Sequence, residues 1–467
     1  MESQRAGIDT SKKDSLLRSF WTCEGGARDV LGLATPIMLS FCTVTLITLT
    51  DRLCLAWYDP KEMNAAFQAG CLSWTFAVFP TAIATFANTF VSQYNGAGRR
   101  SSVGPIVWQG VFLGILFGIL TVAVTPLVPV VFEFFKHKPE TIALERLYWK
   151  YVSVGFLAHY VFEALASFFE GLKEPKNVLF VSFAGMLLNL ALDPILIFGY
   201  LGAPRLGLVG AGLASSISMW FMAIALFVLA YRRDKSGEFG FRGGARLNVR
   251  EMKRLLFYGS VSAAQSSVEH YFYGFFVLLM GWFGEEASVA TAIGYNLNSF
   301  LYMPACGLGL AAATLVGNQV GAGRPELGAR ATYVAGALAL TFASFFAIIF
   351  LCFPGPFVEV YAAVKPEQFE EIRPLAVNIV RVVAIYLIAD ALNLVFTGAL
   401  RGAGDVKFIM IATTATVATT VALIFVGIKY YHMGVYWCWW LQTSYLVANS
   451  LIFYVRLFFL WISFCFI

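Results

Sequence analysis

The sequence predicts an all-α membrane protein of twelve transmembrane helices in two six-helix lobes, related by a parallel pseudo-two-fold repeat. Three observations predict it. The 467-residue chain is 59% hydrophobic and only 13% charged, with a mean hydropathy of +0.71, whereas a soluble domain carries about 25% charged residues. Apolar stretches recur along the whole length, and no stretch between them is long enough for a soluble catalytic domain. A motif occurs twice, half a chain apart: Val91-Ser92-Gln93-Tyr94-Asn95-Gly96-Ala97-Gly98-Arg99 and Val316-Gly317-Asn318-Gln319-Val320-Gly321-Ala322-Gly323-Arg324. A proline precedes each copy at nearly the same distance, Pro80 and Pro304.

A spanning helix needs about 20 apolar residues, and each element can be justified in turn. Residues 1–27 are mostly polar, with neither a short apolar core nor a small-residue cleavage site, so they read as an N-terminal segment and not a signal peptide. The N-lobe covers 28–231. Span one, 28–57, carries Asp51 and Arg52 towards its end. Span two, 64–93, contains Pro80 and runs into the first motif copy. Span three is 105–133. Span four, 143–170, closes in the charged turn Glu170-Gly171-Leu172-Lys173-Glu174-Pro175-Lys176. Span five, 177–200, holds Asn189, Asp193 and Pro194, and span six is 207–231. The longest linker, 232–252, is basic and separates the lobes. The C-lobe covers 253–456. Span seven, 253–283, holds Glu269; span eight, 287–318, repeats the proline and the motif; span nine is 327–353. Span ten, 374–400, closes in Arg401-Gly402-Ala403-Gly404-Asp405-Val406-Lys407, matching the turn after span four. Span eleven is 406–429. Span twelve, 434–456, opens on Tyr436-Trp437-Cys438-Trp439-Trp440, which reads as an interfacial aromatic belt. An apolar tail, 457–467, reads as a segment along the interface. Each lobe has an even number of crossings, so both enter the membrane in the same direction.

Charge placement sets the topology. Lys and Arg cluster in alternate loops: Arg99 and Arg100, Lys173 and Lys176, the 232–252 linker, Arg324 and Arg330, Arg401 and Lys407. The positive-inside rule then puts both termini in the cytoplasm of a multi-pass protein of the plasma membrane, or of the inner membrane in a bacterium. This reading takes the basic charge as a topology signal and implies no nucleic-acid partner; the linker also suits contact with anionic membrane lipid. The eight cysteines show no CxxC pair and read as small packing residues.

Ionisable residues inside spans are expensive and point to function. Asp51 lies roughly 30 Å along span one; the alternative is a surface pair with Arg52 or Lys61. Asn189 and Asp193 share one face of span five, and Pro194 frees a carbonyl one turn back, so three oxygens suit a cation; the alternative is an Asn–Asp pair that joins helices. Glu269 shares a polar stripe of span seven with Ser262, Gln265, Ser266 and Tyr273, and a polar stripe faces a cavity or a neighbouring helix. Tyr386, Asp390, Asn393 and Thr397 form one polar face of span ten. Gln265, Tyr273, Tyr386 and Asn393 are therefore candidate cavity-lining residues. A buried carboxylate without a fixed cation can take up and release protons. There is no GxxxxGK[ST], no HExxH and no nucleophile–base pair outside the spans, so the chain reads as a non-enzyme without an ATPase engine or cofactor of its own. Its energy would come from an ion gradient or a partner.

These features together resemble the MATE family (multidrug and toxic compound extrusion). The resemblance rests on the paired Gly-Ala-Gly-Arg exits, the Asn189-Leu190-Ala191-Leu192-Asp193-Pro194 segment and Leu400-Arg401-Gly402-Ala403-Gly404-Asp405, over residues 28–456. It implies two lobes in a V around a central cleft, and antiport by alternating access: H+ or Na+ enters as an organic, often cationic and amphipathic, compound leaves. It also implies that Asp51 is the span-one acid, that Asn189 and Asp193 form an N-lobe cation or proton site, and that Ser215 keeps a hydroxyl where one branch often has Thr. Glu269 and Asp390 fall at the C-lobe acids of the other branch. A sodium ion would sit at Asp51, Asn189 and Asp193, or at Glu269 and Asp390. A monomer is expected. Two alternatives stand beside it: a lipid-linked saccharide or polyprenyl flippase of the same superfamily, which would need a cationic cavity, and a channel, which an internal repeat with acids in both halves disfavours.

Overall fold

The computed structural model describes residues 20–362 and 366–465. Residues 1–19 of the N-terminal segment and the last two residues of the apolar tail lie outside the described residues. Among the described residues every regular element is helical. Twelve long helices run in order: α1 (Ala27–Tyr58), α2 (Pro60–Gly96), α3 (Val103–Ala123), α4 (Pro139–Gly171), α5 (Lys176–Phe198), α6 (Leu208–Arg233), α7 (Val249–Met280), α8 (Glu285–Gly321), α9 (Pro325–Cys352), α10 (Pro366–Ala403), α11 (Val406–Tyr431) and α12 (Val435–Cys465). Eleven are long and apolar enough to cross a membrane; α7 is equally long but its polar stripe and terminal charges lower its hydropathy. The protein is an all-α membrane protein.

Two spans differ from expectation. Span three stops at Ala123, and a short helix, Val128–Phe134, follows a turn at Thr125–Leu127. Pro126 and Pro129 cannot donate the bonds that a continuous helix needs. A short helix, Pro354–Ala362, follows α9 in the same way. The tail does not leave at Arg456: α12 continues to Cys465, burying Leu457 and bringing the Trp461 ring against Gly328 of α9.

The repeat is visible bond by bond. After α2, Arg99 N–H donates to Tyr94 C=O and Ala97 N–H to Gln93 C=O, both at 2.9 Å. After α8, Arg324 N–H donates to Gln319 C=O at 2.9 Å and Ala322 N–H to Asn318 C=O at 3.0 Å. Gly98 (φ +70°) and Gly323 (φ +71°) take the left-handed position that lets these bonds close the helix end. The second matched pair behaves alike: Glu174 N–H donates to Phe169 C=O at 2.7 Å, Asp405 N–H to Leu400 C=O at 3.0 Å. There the left-handed residues are Lys173 and Gly404. No atom would meet a Cβ at Gly323, so Gly323→Ala should cost only the backbone strain, about 1 kcal/mol. A small drop in the melting temperature with undiminished folded yield would show this.

The chain divides into two compact units, the first Leu39–His270, the second Met1–Met38 with Tyr271–Ile467. The division falls within α1 and α7. In the first unit, Gly110, Gly114 and Gly118 form a stripe on α3 that lies directly on Ala164, Tyr160 and Leu157 of α4. In the second, Gly398 and Gly402 of α10 lie on the backbone of Gly309 and Ala313 of α8. Small residues at a spacing of four let helices approach where lipid supplies no hydrophobic drive. The second unit's core gathers Phe272, Phe276, Tyr295, Val383, Tyr386 and Trp439. Trp439 is thus not part of an interfacial belt. Helical geometry turns successive residues by 100°, so Cys438 and Trp439 are fully buried while Tyr436 and Trp440 are exposed.

The linker after α6 is folded onto the first unit. Asp234 is fully buried and accepts N–H groups from Phe239 (2.8 Å), Phe241 (2.7 Å) and Arg242 (3.1 Å). Trp108 of α3 donates to Phe241 C=O at 2.8 Å, and Gln109 bridges Arg246 C=O and Asn248 N–H. Part of the basic charge is neutralised within the unit: Arg233 forks onto Glu174, and Arg100 pairs with Glu238. Asp234→Ala would leave the buried Phe239 and Phe241 N–H groups without an acceptor, at about 2 kcal/mol or more. Limited trypsin digestion should then cut the 242–246 region much faster than in wild type.

Candidate functional site

The first unit brings Asp51, Asn189, Asp193 and Ser215 together from three helices. Asn189 and Asp193 lie one turn apart on α5, both buried, and Pro194 follows within the same helix. α6 reaches α5 closely because Gly210 packs on the Leu196 carbonyl, which carries Ser215 to the same point. Ser215 Oγ donates to Asp51 Oδ2, and Asn189 Nδ2 donates to Asp51 Oδ1 at 3.2 Å. Asp193 is 0% exposed and its carboxyl adjoins that of Asp51 closely enough for the two to share a proton, while no other group donates to either of its oxygens. Asn189 Oδ1 is also buried without a partner. Asp51 itself is buried, and Arg52 turns its guanidinium over the Phe67 ring at 4.8 Å. Among the described residues neither acid forms an ion pair, and the surface-pair alternative for Asp51 does not hold.

A cavity of about 120 Å³ opens beside Asp51. Ser215, Tyr148, Trp74, Phe156 and His159 are among its walls. The Trp74 ring meets Phe156 edge-on at 5.8 Å and His159 at 5.6 Å. An acid on one side and aromatic faces on the other suit an organic cation.

Tyr386, Asp390, Asn393 and Thr397 are all buried on one face of α10 in the second unit. Around them stand aromatic rings: Tyr273 is 4.3 Å from Tyr295, which is 6.5 Å from Tyr386 and 5.1 Å from Trp439. Asn393 Oδ1 and Thr397 Oγ1 are buried without partners. Glu269 is half-buried and Gln265 buried on the part of α7 that belongs to the first unit. The structure therefore gathers Tyr273, Tyr386, Asp390 and Asn393 in one unit, and assigns Glu269 and Gln265 to the other.

Sequence reasoning missed a set of groups on α4. Glu145 is 0% exposed and its Oε1 lies 2.8 Å from His137 Nδ1. Tyr148 lines the Asp51 cavity. His159, Glu163 and Glu170 continue along the helix. The rule that flags a carboxylate within a span covers Glu163 as well as Asp51, and the i, i+4 spacing of His159 and Glu163 marks a shared face.

The chain as a whole is similar to known proteins. A family model described as MatE matches residues 36–195 and 262–426. The probable multidrug resistance protein NorM of Thermotoga maritima is 28% identical over 415 residues, covering 88% of each chain. The multidrug resistance protein PmpM of Pseudomonas aeruginosa is 28% identical over 396 residues, covering 83% of this chain and 80% of that protein. The crystal structure of the eukaryotic MATE transporter AtDTX14 superposes with a TM-score of 0.81 at 17% identity, covering 92% of this chain and 94% of that one.

Proposed function

Since the chain belongs to the MATE family of transporters, we propose that it is a secondary multidrug efflux transporter. It exports organic, often cationic and amphipathic, compounds in exchange for protons by alternating access. It is a transporter and not an enzyme. Both termini lie in the cytoplasm, the two lobes comprise 28–231 and 253–456, and the protein works as a monomer in the plasma membrane.

The observation that carries the coupling is the buried acid pair, Asp51 and Asp193, without an ion-pair partner. Two carboxylates that share a buried site cannot both hold their charge at low cost, so a pair of this kind carries a proton or a cation. The donor pattern favours the proton. Asn189 and Ser215 each already occupy one Asp51 oxygen. The two Asp193 oxygens and Asn189 Oδ1 remain, while a hard cation takes a shell of about six oxygens. A proton needs one. Protonation of the pair and entry of a cationic compound into the cavity then compete for the same negative charge, which is the basis of exchange. In the second unit, Asp390 within its ring of Tyr and Trp side chains offers cation–π and electrostatic contacts to the same class of compound.

The test is ethidium efflux from membrane vesicles under an imposed pH gradient, with and without a sodium gradient. Efflux driven by the pH gradient alone supports the reading. A strict sodium requirement would replace the proton with sodium. No response to either gradient would overturn the transport assignment.

A further inference from the structure

The acid pair leaves other buried titratable groups of the first unit unused. His159, Glu163, Ser167 and Glu170 follow one another along α4 at steps of four, four and three, and so share one face. His159 Nδ1 stands 3.9 Å from Glu163 Oε1. Thr85 of α2 donates to Glu163 Oε2 at 3.3 Å. Glu170 is buried and lies within electrostatic reach of Glu163. His159 is 6% exposed and lines the cavity beside Asp51, and its Nε2 is buried without a protein partner.

No Lys or Arg among the described residues forms an ion pair with Glu163. Among the described residues, the titratable groups facing Glu163 are His159 and Glu170, both on α4 itself. From α2 come the Thr81 and Thr85 hydroxyls and the Trp74 ring. From α3 come the glycine stripe and the Thr121 hydroxyl, which bonds Tyr160. From α6 comes Ser216, which donates to Tyr151 C=O. Intramembrane acids without a cationic partner mark ion or proton pathways.

We propose that His159 and Glu163 form a second proton-binding station, which carries the proton between the Asp51 cavity and the Glu170 end of α4. This rests on the proton-coupled reading of Asp51 and Asp193. A proton released by the acid pair crosses the shared cavity and binds His159 Nε2. The imidazolium gives its Nδ1 proton to a Glu163 carboxylate oxygen, after a side-chain rotation that closes the gap. Neutral Glu163 passes the proton past the Ser167 hydroxyl to the Glu170 carboxylate, which releases it at that end of the helix. Each acid returns to its starting charge, and His159 ends in the other neutral tautomer and resets by turning its ring.

The test has two arms on the purified full-length protein. The first is infrared difference spectroscopy between acid and alkaline pH, which reads the carbonyl stretch of each protonated carboxyl. A titrating band should vanish in Glu163→Gln, return shifted in Glu163→Asp and survive in Asp51→Asn. An identical difference spectrum in wild type and Glu163→Gln would overturn the proposal. The second arm is proton flux in proteoliposomes during ethidium exchange, read with a pH-sensitive dye. Glu163→Gln should slow it about a hundredfold, the lower end of what a positioned proton-transfer group contributes, and Glu163→Asp should restore most of the rate. Wild-type flux and pH profile in Glu163→Gln, beside a silent Asp51→Asn, would remove the station and leave the acid pair standing. No proton flux in wild type would remove the coupling reading and the station together.

Discussion

Asp51→Asn is expected to reduce pH-gradient-driven efflux by about a hundredfold or more while leaving the protein folded. The substitution is nearly isosteric and keeps an oxygen to accept from Asn189 or Ser215, the two donors that now hold Asp51. It removes the charge that makes the pair with Asp193 bind a proton, and it ends the competition between proton and cationic substrate. Asp193→Asn should have a comparable effect for a different reason. Asp193 meets Asp51 carboxyl to carboxyl, and no other group donates to its oxygens, so the change keeps the Asn189 and Ser215 bonds to Asp51 and eliminates the second carboxylate. Efflux assays on both variants, with size-exclusion profiles as the folding control, check this. Wild-type exchange in either variant would remove the acid pair from the mechanism. Ser215→Ala should be milder, because Asp51 keeps the Asn189 bond.

Gly398→Ala and Gly402→Ala are expected to abolish most of the folded protein. A Cβ at 398 would lie 2.0 Å from the Gly309 carbonyl oxygen, and one at 402 would lie 2.3 Å from that of Ala313. Both obstacles are backbone, so no side chain can rotate away, and α10 would have to separate from α8. The cost lies at or beyond the upper end of overpacking, about 3 kcal/mol. It falls on the helix that carries Tyr386, Asp390 and Asn393, so any residual protein should also transport poorly. Gly32→Ala is the control. A Cβ at Gly32 meets nothing within 4 Å, and alanine there gains about 1 kcal/mol of helix propensity. Detergent-extracted yield should fall sharply for the first two and hold or rise for the third. Equal yields would show that the α8–α10 contact yields enough to admit a methyl group at both positions.

Much of this architecture was legible in the chain. Apolar length alone marks the spans, because a backbone in lipid must satisfy its own hydrogen bonds within each segment. The twin Gly-Ala-Gly-Arg exits announced two matching helix ends, and both proved to close with the same bonds around Gly98 and Gly323. Boundaries were less legible. Span three broke at Pro126, while α12 ran past Arg456, since a single charge does not end a helix whose next turns bury Leu457 and Trp461. Within the aromatic run at 436–440, Trp439 departs from the expected belt while Tyr436 and Trp440 stay exposed, because composition is blind to which way each ring points.

For the site, the sequence by itself determined which acids lie inside spans and which of them share a helix face, because helical periodicity relates only residues a few positions apart. On that basis it singled out Asp51, Asn189, Asp193, Glu269 and Asp390. Only the tertiary structure decided which of these meet. Asp51 and Ser215 are 164 positions apart, and Asp51 and Asn189 are 138 apart. Contacts over such separations depend on glycine-mediated approaches such as that of Gly210 to Leu196. The same packing put His159 at the wall of the Asp51 cavity and turned the Trp439 ring into the core. The pattern of one helix specifies the face it offers; the neighbour that covers that face is set by the close packing of all the others.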